Sequence, residues 1–176
     1  MKNTYKFPRV TYGLSVHGKE EINAVNKVLR TSTQMGKNVE VFERKIAKLF
    51  NKKYGIMTNS GSSALLLAIE ALNLPKNSEV ITPALTFSTT VSCIIKNNLI
   101  PVFIDVKLDT FCINHNKIEE KITSKTKAIL APDLLGNICE WDRIKKIAKK
   151  NKLIIINDSA DTLGSKLNKK NVGYYS

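Results

Sequence analysis

The sequence predicts an α/β fold in which helices cover both faces of a mainly parallel sheet, a three-layer αβα arrangement. Two observations support this prediction. From Lys53 onward, short β-branched segments alternate with helical patterns at the spacing typical of βαβ units. Residues 153–156 are four consecutive large apolar residues, which indicates a strand buried on both faces of a parallel sheet. No repeat, linker or low-complexity tract interrupts the alternation.

Two amphipathic helices are predicted before the alternating region. Apolar residues recur on one face over residues 18–30 and again over residues 39–50, with a polar loop at residues 31–37 between them. We therefore divide the chain into an N-terminal helix and entry segment, residues 1–37, and a partial large domain, residues 38–176.

The elements of the second region follow in a regular order. The helix at residues 64–72 is apolar almost all round, which predicts that it is buried. Residues 166–170 have the composition of a β-turn. The predicted strands are residues 54–57, 79–83, 99–105, 126–131 and 153–156, and the other predicted helices are residues 88–96, 117–122 and 140–151.

Composition excludes several classes of protein. A hydrophobic content of 43% with 24% charged residues is typical of a globular, soluble chain. No apolar run could span a bilayer and no secretory signal is visible, so we expect a cytoplasmic protein without membrane contact. Three widely spaced cysteines favour reduced thiols over disulfides or a metal site. The net charge of +13 comes mostly from scattered lysines, so nucleic-acid binding is disfavoured.

The turn at residues 60–64, Ser-Gly-Ser-Ser-Ala, lies between a predicted strand and a predicted helix. Small residues there let the backbone approach a ligand, and the free N–H groups of the helix N-terminus favour a phosphate. The hydroxyls of Ser62 and Ser63 could add two donors. The alternative is an ordinary serine N-cap.

Two further side chains follow predicted strands. Phe87 could cover a planar ligand or pack in the core, and its polar neighbours favour the exposed position. Asp158 stands where open α/β sheets bind ligands, although it could merely cap the following turn. A turn that binds phosphate, an aromatic ring for stacking and a carboxylate together suit pyridoxal phosphate, whose pyridine nitrogen needs an acidic partner.

Three motifs resemble the DegT/DnrJ/StrS-type family of sugar aminotransferases and dehydratases, which has the aspartate-aminotransferase fold (fold type I). They are residues 60–64, residues 79–90 and residues 157–164, and the resemblance extends over nearly the whole chain from about Tyr12. It implies an incomplete fold type I large domain with bound pyridoxal 5′-phosphate or pyridoxamine 5′-phosphate. The implied roles are phosphate binding by Ser62 and Ser63, ring stacking by Phe87, ring-nitrogen pairing by Asp158 and a position near the phenolic oxygen for Asp161.

One departure from the family pattern indicates a branch. Asp161 stands where most aminotransferases of the family have Gln, residues 82–90 read Thr-Pro-Ala-Leu-Thr-Phe-Ser-Thr-Thr, and residues 134–137 read Leu-Leu-Gly-Asn. Together these features resemble the NDP-4-keto-6-deoxyhexose 3-dehydratases of lipopolysaccharide biosynthesis, in which the cofactor is pyridoxamine phosphate and a His replaces the Schiff-base Lys. The resemblance implies a nucleotide-sugar substrate, a homodimer and, for a dehydratase, an iron–sulfur reductase partner.

The resemblance places the catalytic Lys or His beyond Ser176, so no catalytic residue is assigned within the chain. The remaining strands and the small C-terminal domain are likewise expected beyond it. Three interpretations stay open: a portion of a 3-dehydratase, which is favoured; a portion of a sugar aminotransferase; or a catalytically dead remnant or binding-only module. A Rossmann-type nucleotide-binding domain is disfavoured, because the chain lacks the G-x-G-x-x-G fingerprint.

Overall fold

The computed structural model describes residues 13–176, and the chain divides into two compact units between Lys37 and Asn38. In the first unit, helix α1 (Lys19–Thr31) confirms the helix expected at residues 18–30. The carboxylate of Glu21 accepts a 2.6 Å hydrogen bond from the backbone N–H of Gly18. A negative charge in this position stabilises the helix N-terminus.

The second unit contains a four-stranded sheet in which every neighbouring pair is parallel, in the order β2-β1-β3-β4. The predicted mainly parallel sheet is therefore confirmed. The strands are β1 (Glu79–Pro83), β2 (Ile100–Ile104), β3 (Thr126–Pro132) and β4 (Ile154–Asp158).

Helices cover both faces of this sheet. Alternate side chains of each strand point to opposite faces, so each strand contributes to two separate core clusters. Ile81 and Ile129 pack in one core cluster with Trp141, and Val80 and Leu130 pack in the other. The three-layer αβα class is thus confirmed. The helices of this unit are α2 (Lys37–Leu49), α3 (Gly61–Glu70), α4 (Ser88–Lys96) and α5 (Trp141–Asn151).

The prediction of a strand at residues 54–57 is wrong. This segment has no hydrogen-bonded strand beside it among the described residues, and Ile56 is 83% exposed. Its contacts are instead with α2, where the backbone N–H of Met57 donates to the carboxylate of Glu43 at 2.6 Å. A Cβ at Gly55 would lie 2.5 Å from the Glu43 carbonyl oxygen. The absence of a side chain at Gly55 therefore allows the segment to lie directly against the helix.

Three other expectations need correction. Helix α3 buries only Leu65 and Ile69, and Leu67 is 49% exposed, because a helix in an outer layer faces the sheet on one side only. In β4, Ile154 is 40% exposed, because β4 is an edge strand of the described sheet. The helix expected at residues 117–122 is replaced by two short 3₁₀ turns, His115–Lys117 and Glu119–Lys121.

The turn predicted at residues 166–170 is confirmed as a small hairpin of β5 (Lys166–Leu167) and β6 (Lys170–Asn171). Its two central residues have φ of 49° and 66°, which suits the twist of a two-residue hairpin loop. Cys93, Cys112 and Cys139 are buried. Across residues 13–176, none of the helices is long and apolar enough to span a membrane.

Candidate functional site

Two of the predicted site residues, Phe87 and Asp158, lie at the carboxyl ends of strands whose order creates a crevice. The chain passes from β1 outward to β2 and then returns to β3 on the other side of β1. This reversal is a topological switch point, and ligands of open α/β sheets bind at the carboxyl ends of the strands there. Phe87 follows β1, Asp133 follows β3, and Asp158 is the last residue of β4.

The N-terminus of α3 is arranged to receive an anion. Ser60 is the N-cap, and its Oγ accepts a 3.1 Å hydrogen bond from the backbone N–H of Ser63. The N-cap interpretation of the turn is therefore correct for Ser60. The backbone N–H groups of Gly61 and Ser62 have no acceptor among the described residues. Ser62 is exposed, so its hydroxyl and both amides can face a ligand at the positive end of the helix.

Phe87 is the N-cap residue of α4 and its side chain is 66% exposed. The alternative that it packs in the core is therefore wrong. Nearby, the hydroxyls of Thr82 and Thr86 are buried and have no hydrogen-bond partner among residues 13–176. Buried polar groups without partners are uncommon and call for an explanation such as a bound ligand or water.

Asp158 contacts both α4 and the turn that follows β4. Its Oδ2 accepts a long hydrogen bond of 3.4 Å from the hydroxyl of Thr90, and its Oδ1 accepts one of 3.2 Å from the N–H of Ala160. The capping alternative is therefore observed. Because the Thr90 contact is long and weak, Oδ2 retains capacity for a stronger donor. Cys93, one turn further along α4, is neutral, since burial raises the pKa of its thiol to about 11.

Asp161 is exposed, and its Oδ2 accepts a 2.9 Å hydrogen bond from the backbone N–H of Leu135. Leu135 has a left-handed φ of 56°, which is strained for a residue with a Cβ. Gly136, with φ of 83°, continues this loop at a position that suits glycine. Two of the sequence features that indicated a dehydratase, Asp161 and the Leu-Leu-Gly-Asn run, are thus in direct contact.

Asp133 was not predicted as a site residue, although it also ends a parallel strand and that pattern could have identified it. It is 1% exposed, and four groups donate hydrogen bonds to its carboxylate. Burial raises the pKa of this carboxyl, and the donors oppose that effect. The donors are the backbone N–H of Cys139, Nε1 of Trp141, Nδ2 of Asn157 and Oγ1 of Thr162.

The structure joins some of the predicted residues and not others. Phe87 is linked to Asp158 through Thr90, whose N–H donates to the Phe87 carbonyl at 3.0 Å and whose hydroxyl donates to Asp158. No hydrogen bond in residues 13–176 connects Ser62 with these groups, although α3 packs against α4. The same residues contain no cluster of three or more His, Cys, Asp or Glu side chains placed to hold a metal ion.

These groups fit a planar phosphate ester. The N-terminus of α3 offers amide donors, Phe87 offers an exposed ring, and Asp158 offers a carboxylate that a protonated ring nitrogen can pair with. Phe87 follows β1 and Asp158 ends β4, both at the carboxyl edge of the sheet, and α3 packs against α4. The arrangement can bind, orient and hold a proton on such a ligand.

Comparisons with known proteins identify the family of this chain. Residues 15–176 match the sequence profile described as the DegT/DnrJ/EryC1/StrS aminotransferase family. The chain is 37% identical over 168 residues to a GDP-4-keto-6-deoxy-D-mannose 3-dehydratase from Yersinia pseudotuberculosis, covering 92% of this chain and 43% of that protein. It is 40% identical over 156 residues to a dTDP-3-amino-3,6-dideoxy-α-D-galactopyranose transaminase from Aneurinibacillus thermoaerophilus, covering 88% and 43%.

Solved structures show the same relationship. A GDP-4-keto-6-deoxymannose-3-dehydratase with a trapped PLP–glutamate geminal diamine superposes with a TM-score of 0.87 at 34% identity, over 92% of this chain and 44% of that one. Other solved neighbours hold hydrated PLP or PMP. The chain spans 43% of the length of each of the two curated relatives named above, and so less than half of them.

Proposed function

The chain belongs to the DegT/DnrJ/EryC1/StrS aminotransferase family, whose members depend on pyridoxal phosphate, and on this premise we propose that it is the cofactor-binding N-terminal part of a nucleotide-sugar enzyme. The observation that carries the proposal is the hydrogen-bonded link from Phe87 through Thr90 to Asp158. This link supports the proposal that the exposed ring of Phe87 and the carboxylate of Asp158 contact the same planar ligand.

Each predicted site residue takes a role in this proposal. Ser62 and Ser63, with the free amides at the start of α3, bind the cofactor phosphate. Phe87 stacks on the pyridine ring, and Asp158 holds a proton on the ring nitrogen. Asp161 lies near the phenolic oxygen, with one carboxylate oxygen fixed by Leu135. When bound, pyridoxal or pyridoxamine phosphate supplies the electron sink for bond cleavage next to a carbonyl-derived carbon.

The strength of the Asp158 interaction can be bounded. An ion pair at about 4 Å in a medium of effective dielectric about 20 is worth roughly 4 kcal/mol. Asp158 is only half-buried and already accepts two hydrogen bonds, so solvent and competing donors reduce this figure. We expect about 1.4–2.8 kcal/mol, which corresponds to roughly 10- to 100-fold in affinity.

The reaction proposed first is 3-dehydration of an NDP-4-keto-6-deoxyhexose, in deoxysugar and lipopolysaccharide O-antigen biosynthesis. The contact between Asp161 and Leu135 supports it, because it joins two of the features that resemble that branch. The second candidate is a sugar aminotransferase of the same family, which the match to a transaminase supports. The identities of 37% and 40% do not separate the two reactions.

The proposal assigns no catalytic base within the chain, because the family resemblance places it beyond Ser176. By itself the chain is accordingly proposed to bind cofactor without turnover, and a binding-only module or dead remnant is the alternative of a different class. The complete enzyme is proposed to be a cytoplasmic homodimer that acts on a nucleotide sugar, with an iron–sulfur reductase partner if it is a dehydratase.

Cofactor binding tests the first part of the proposal. Pyridoxamine phosphate is the suitable probe, because it lacks the aldehyde with which pyridoxal phosphate would label the many lysines at random. Equilibrium dialysis of the 176-residue chain should give saturable binding, weakened roughly 10- to 100-fold by Asp158→Asn. Asp105→Asn is the matched control, since Asp105 also follows a strand, is exposed, and accepts only a local backbone N–H in the described structure. Equal affinity in Asp158→Asn and wild type would contradict the assignment.

Product analysis tests the second part. The protein with its downstream reading frame is incubated with GDP-4-keto-6-deoxymannose, glutamate and pyridoxal phosphate, and the products are resolved by mass spectrometry. A 3-deoxy sugar without the C3 hydroxyl supports the dehydratase. A 4-amino sugar that keeps this hydroxyl supports the aminotransferase. A complete protein that binds the cofactor but forms neither product, also when an iron–sulfur reductase and its electron donor are added, supports the binding-only module.

A further inference from the structure

We propose that Asp133 is a positioning residue, which fixes the turn carrying Asp158 and Asp161 in the geometry that cofactor binding requires. This inference rests on the proposed function, since it assigns those two residues to the cofactor. Asp133 is 1% exposed and touches no ligand in this scheme. It acts through its neighbours.

The two carboxylate oxygens of Asp133 connect different parts of the fold. Oδ1 accepts hydrogen bonds of 2.8 Å from the backbone N–H of Cys139 and from Nε1 of Trp141, both at the entrance to α5. Oδ2 accepts hydrogen bonds of 2.8 Å from Nδ2 of Asn157 and 3.3 Å from Oγ1 of Thr162. One buried carboxylate thereby attaches the segment after β4 to the start of helix α5.

The two donors to Oδ2 flank the proposed cofactor residues. Asn157 immediately precedes Asp158, and Thr162 immediately follows Asp161. The backbone adds a further connection, because the N–H of Asp133 donates to the carbonyl of Asp158 at 3.0 Å. Both ends of the short segment between the two cofactor residues are therefore held by a single side chain.

The loop that begins with Asp133 also orients Asp161 directly. Two residues after Asp133, the N–H of Leu135 donates to Oδ2 of Asp161 at 2.9 Å. Without the hydrogen bonds to Asp133, the loop after β3 and the turn after β4 would be less well fixed. The carboxylates of Asp158 and Asp161 would then be more mobile. A site whose groups are not held in place binds its ligand more weakly, because ordering must then occur on binding.

The donor set explains why the residue is an aspartate. All four groups that face the carboxylate can donate, and two donors face each oxygen. Asparagine has the same shape but would place an NH₂ group against the Asn157 amide and the Thr162 hydroxyl. The Asn157 amide could turn only by moving its oxygen away from the Ser159 hydroxyl, which donates to it.

An exchange of the two side chains provides the sharpest test. Asp133→Asn removes one acceptor oxygen, the one that receives the hydrogen bonds from Asn157 and Thr162. In the double variant Asp133→Asn/Asn157→Asp, the new NH₂ group at position 133 donates to the new carboxylate at position 157. The amide oxygen still accepts from the donors at α5, and the charge and the hydrogen bond between positions 133 and 157 are restored, while the Thr162 hydroxyl turns to accept from the second N–H of the new amide.

Hydrogen exchange by NMR gives a readout that needs no cofactor. In Asp133→Asn, the amides of Leu135 and Thr162 should exchange roughly tenfold faster, while the amides of β1 keep their protection. The double variant should restore both rates, and Asp105→Asn should change neither. Uniform loss of protection would indicate a purely structural role and overturn the proposal, as would unchanged rates at Leu135 and Thr162.

Cofactor affinity gives the second readout. The dissociation constant for pyridoxamine phosphate should rise about five- to tenfold in Asp133→Asn and return to within about twofold of wild type in the double variant. If Asp133→Asn does not fold, Thr162→Val removes one donor with little change in shape and should raise the constant about two- to threefold. Unchanged affinity in the folded variants would overturn the inference. Failure of the wild-type chain to bind the probe would contradict the proposed function instead, and the exchange rates would still decide the role of Asp133.

Discussion

Two glycines that border the segment before α3 should respond in opposite directions to the same substitution. At Gly55, an added Cβ would lie 2.5 Å from the carbonyl oxygen of Glu43 and 3.1 Å from its carbonyl carbon. Both atoms are helix backbone and cannot rotate away, so α2 or the segment itself must move. Overpacking of this kind costs about 1–3 kcal/mol. Gly55→Ala should therefore destabilise the chain by that amount.

At Gly61, an added Cβ would meet no atom within 4 Å, and the residue begins α3. Alanine there restricts the unfolded chain without strain in the fold, so Gly61→Ala should stabilise by about 0.4–1 kcal/mol. Urea unfolding followed by far-UV circular dichroism measures both effects, provided that the m-value is unchanged. A Gly55→Ala variant as stable as wild type would refute the close backbone approach. Destabilisation by Gly61→Ala would refute the open geometry of the turn.

Two further predictions concern the cap of α3 and the charge on Glu140. Ser60→Ala removes the N-cap acceptor for Ser63 and should cost about 1 kcal/mol in urea unfolding, whereas Ser60→Asp should retain most of the stability. The pKa of Glu140 lies below its ordinary value of 4.5, mainly because Lys107 donates a hydrogen bond to the carboxylate. The ionised Glu140 therefore stabilises the fold above pH 4.5, and this stabilisation is lost as the pH falls through the pKa of the folded state. The stability difference between wild type and Glu140→Gln should accordingly shrink below about pH 4.5, and a difference that grows on acidification would contradict this.

The sequence predicted most of the fold because its strongest patterns are local. The β-branched segments at β1 and β3 and the amphipathic helix at α5 each carry their own periodicity, and the structure contains all three. Residues 54–57 have a similar strand-like pattern but no hydrogen-bonded neighbour among the described residues. A strand depends on its partner as well as on its own residues, so local pattern alone was insufficient there.

The part of the candidate site that could be predicted from the sequence consists of single side chains at the ends of predicted strands. Phe87 is exposed, as its polar neighbours suggested, and Asp158 ends a parallel strand. What the sequence did not reveal is that Asp158 caps a turn and contacts Thr90 at the same time. Capping of the turn and binding of a ligand do not exclude each other at Asp158, because a carboxylate has two oxygens.

The role inferred for Asp133 could not be predicted because it depends on partners up to 29 positions away. Hydrogen bonds from Trp141, Asn157 and Thr162 meet at one carboxylate only after α5 and β4 have packed beside β3. The local motif, an aspartate after a strand, is the same as that of the exposed Asp105. Burial and the number of donors distinguish the two, and both are properties of the folded chain.

The central claim, that Asp158 pairs with the ring nitrogen of a bound cofactor, is tested most directly by changing the ligand and the protein together. Pyridoxamine phosphate and its 1-deaza analogue, which has carbon in place of the ring nitrogen, are titrated into the wild-type chain and into Asp158→Asn. The wild-type chain should prefer pyridoxamine phosphate by roughly 10- to 100-fold, and Asp158→Asn should bind both ligands about equally. A preference that persists undiminished in Asp158→Asn would contradict the claim.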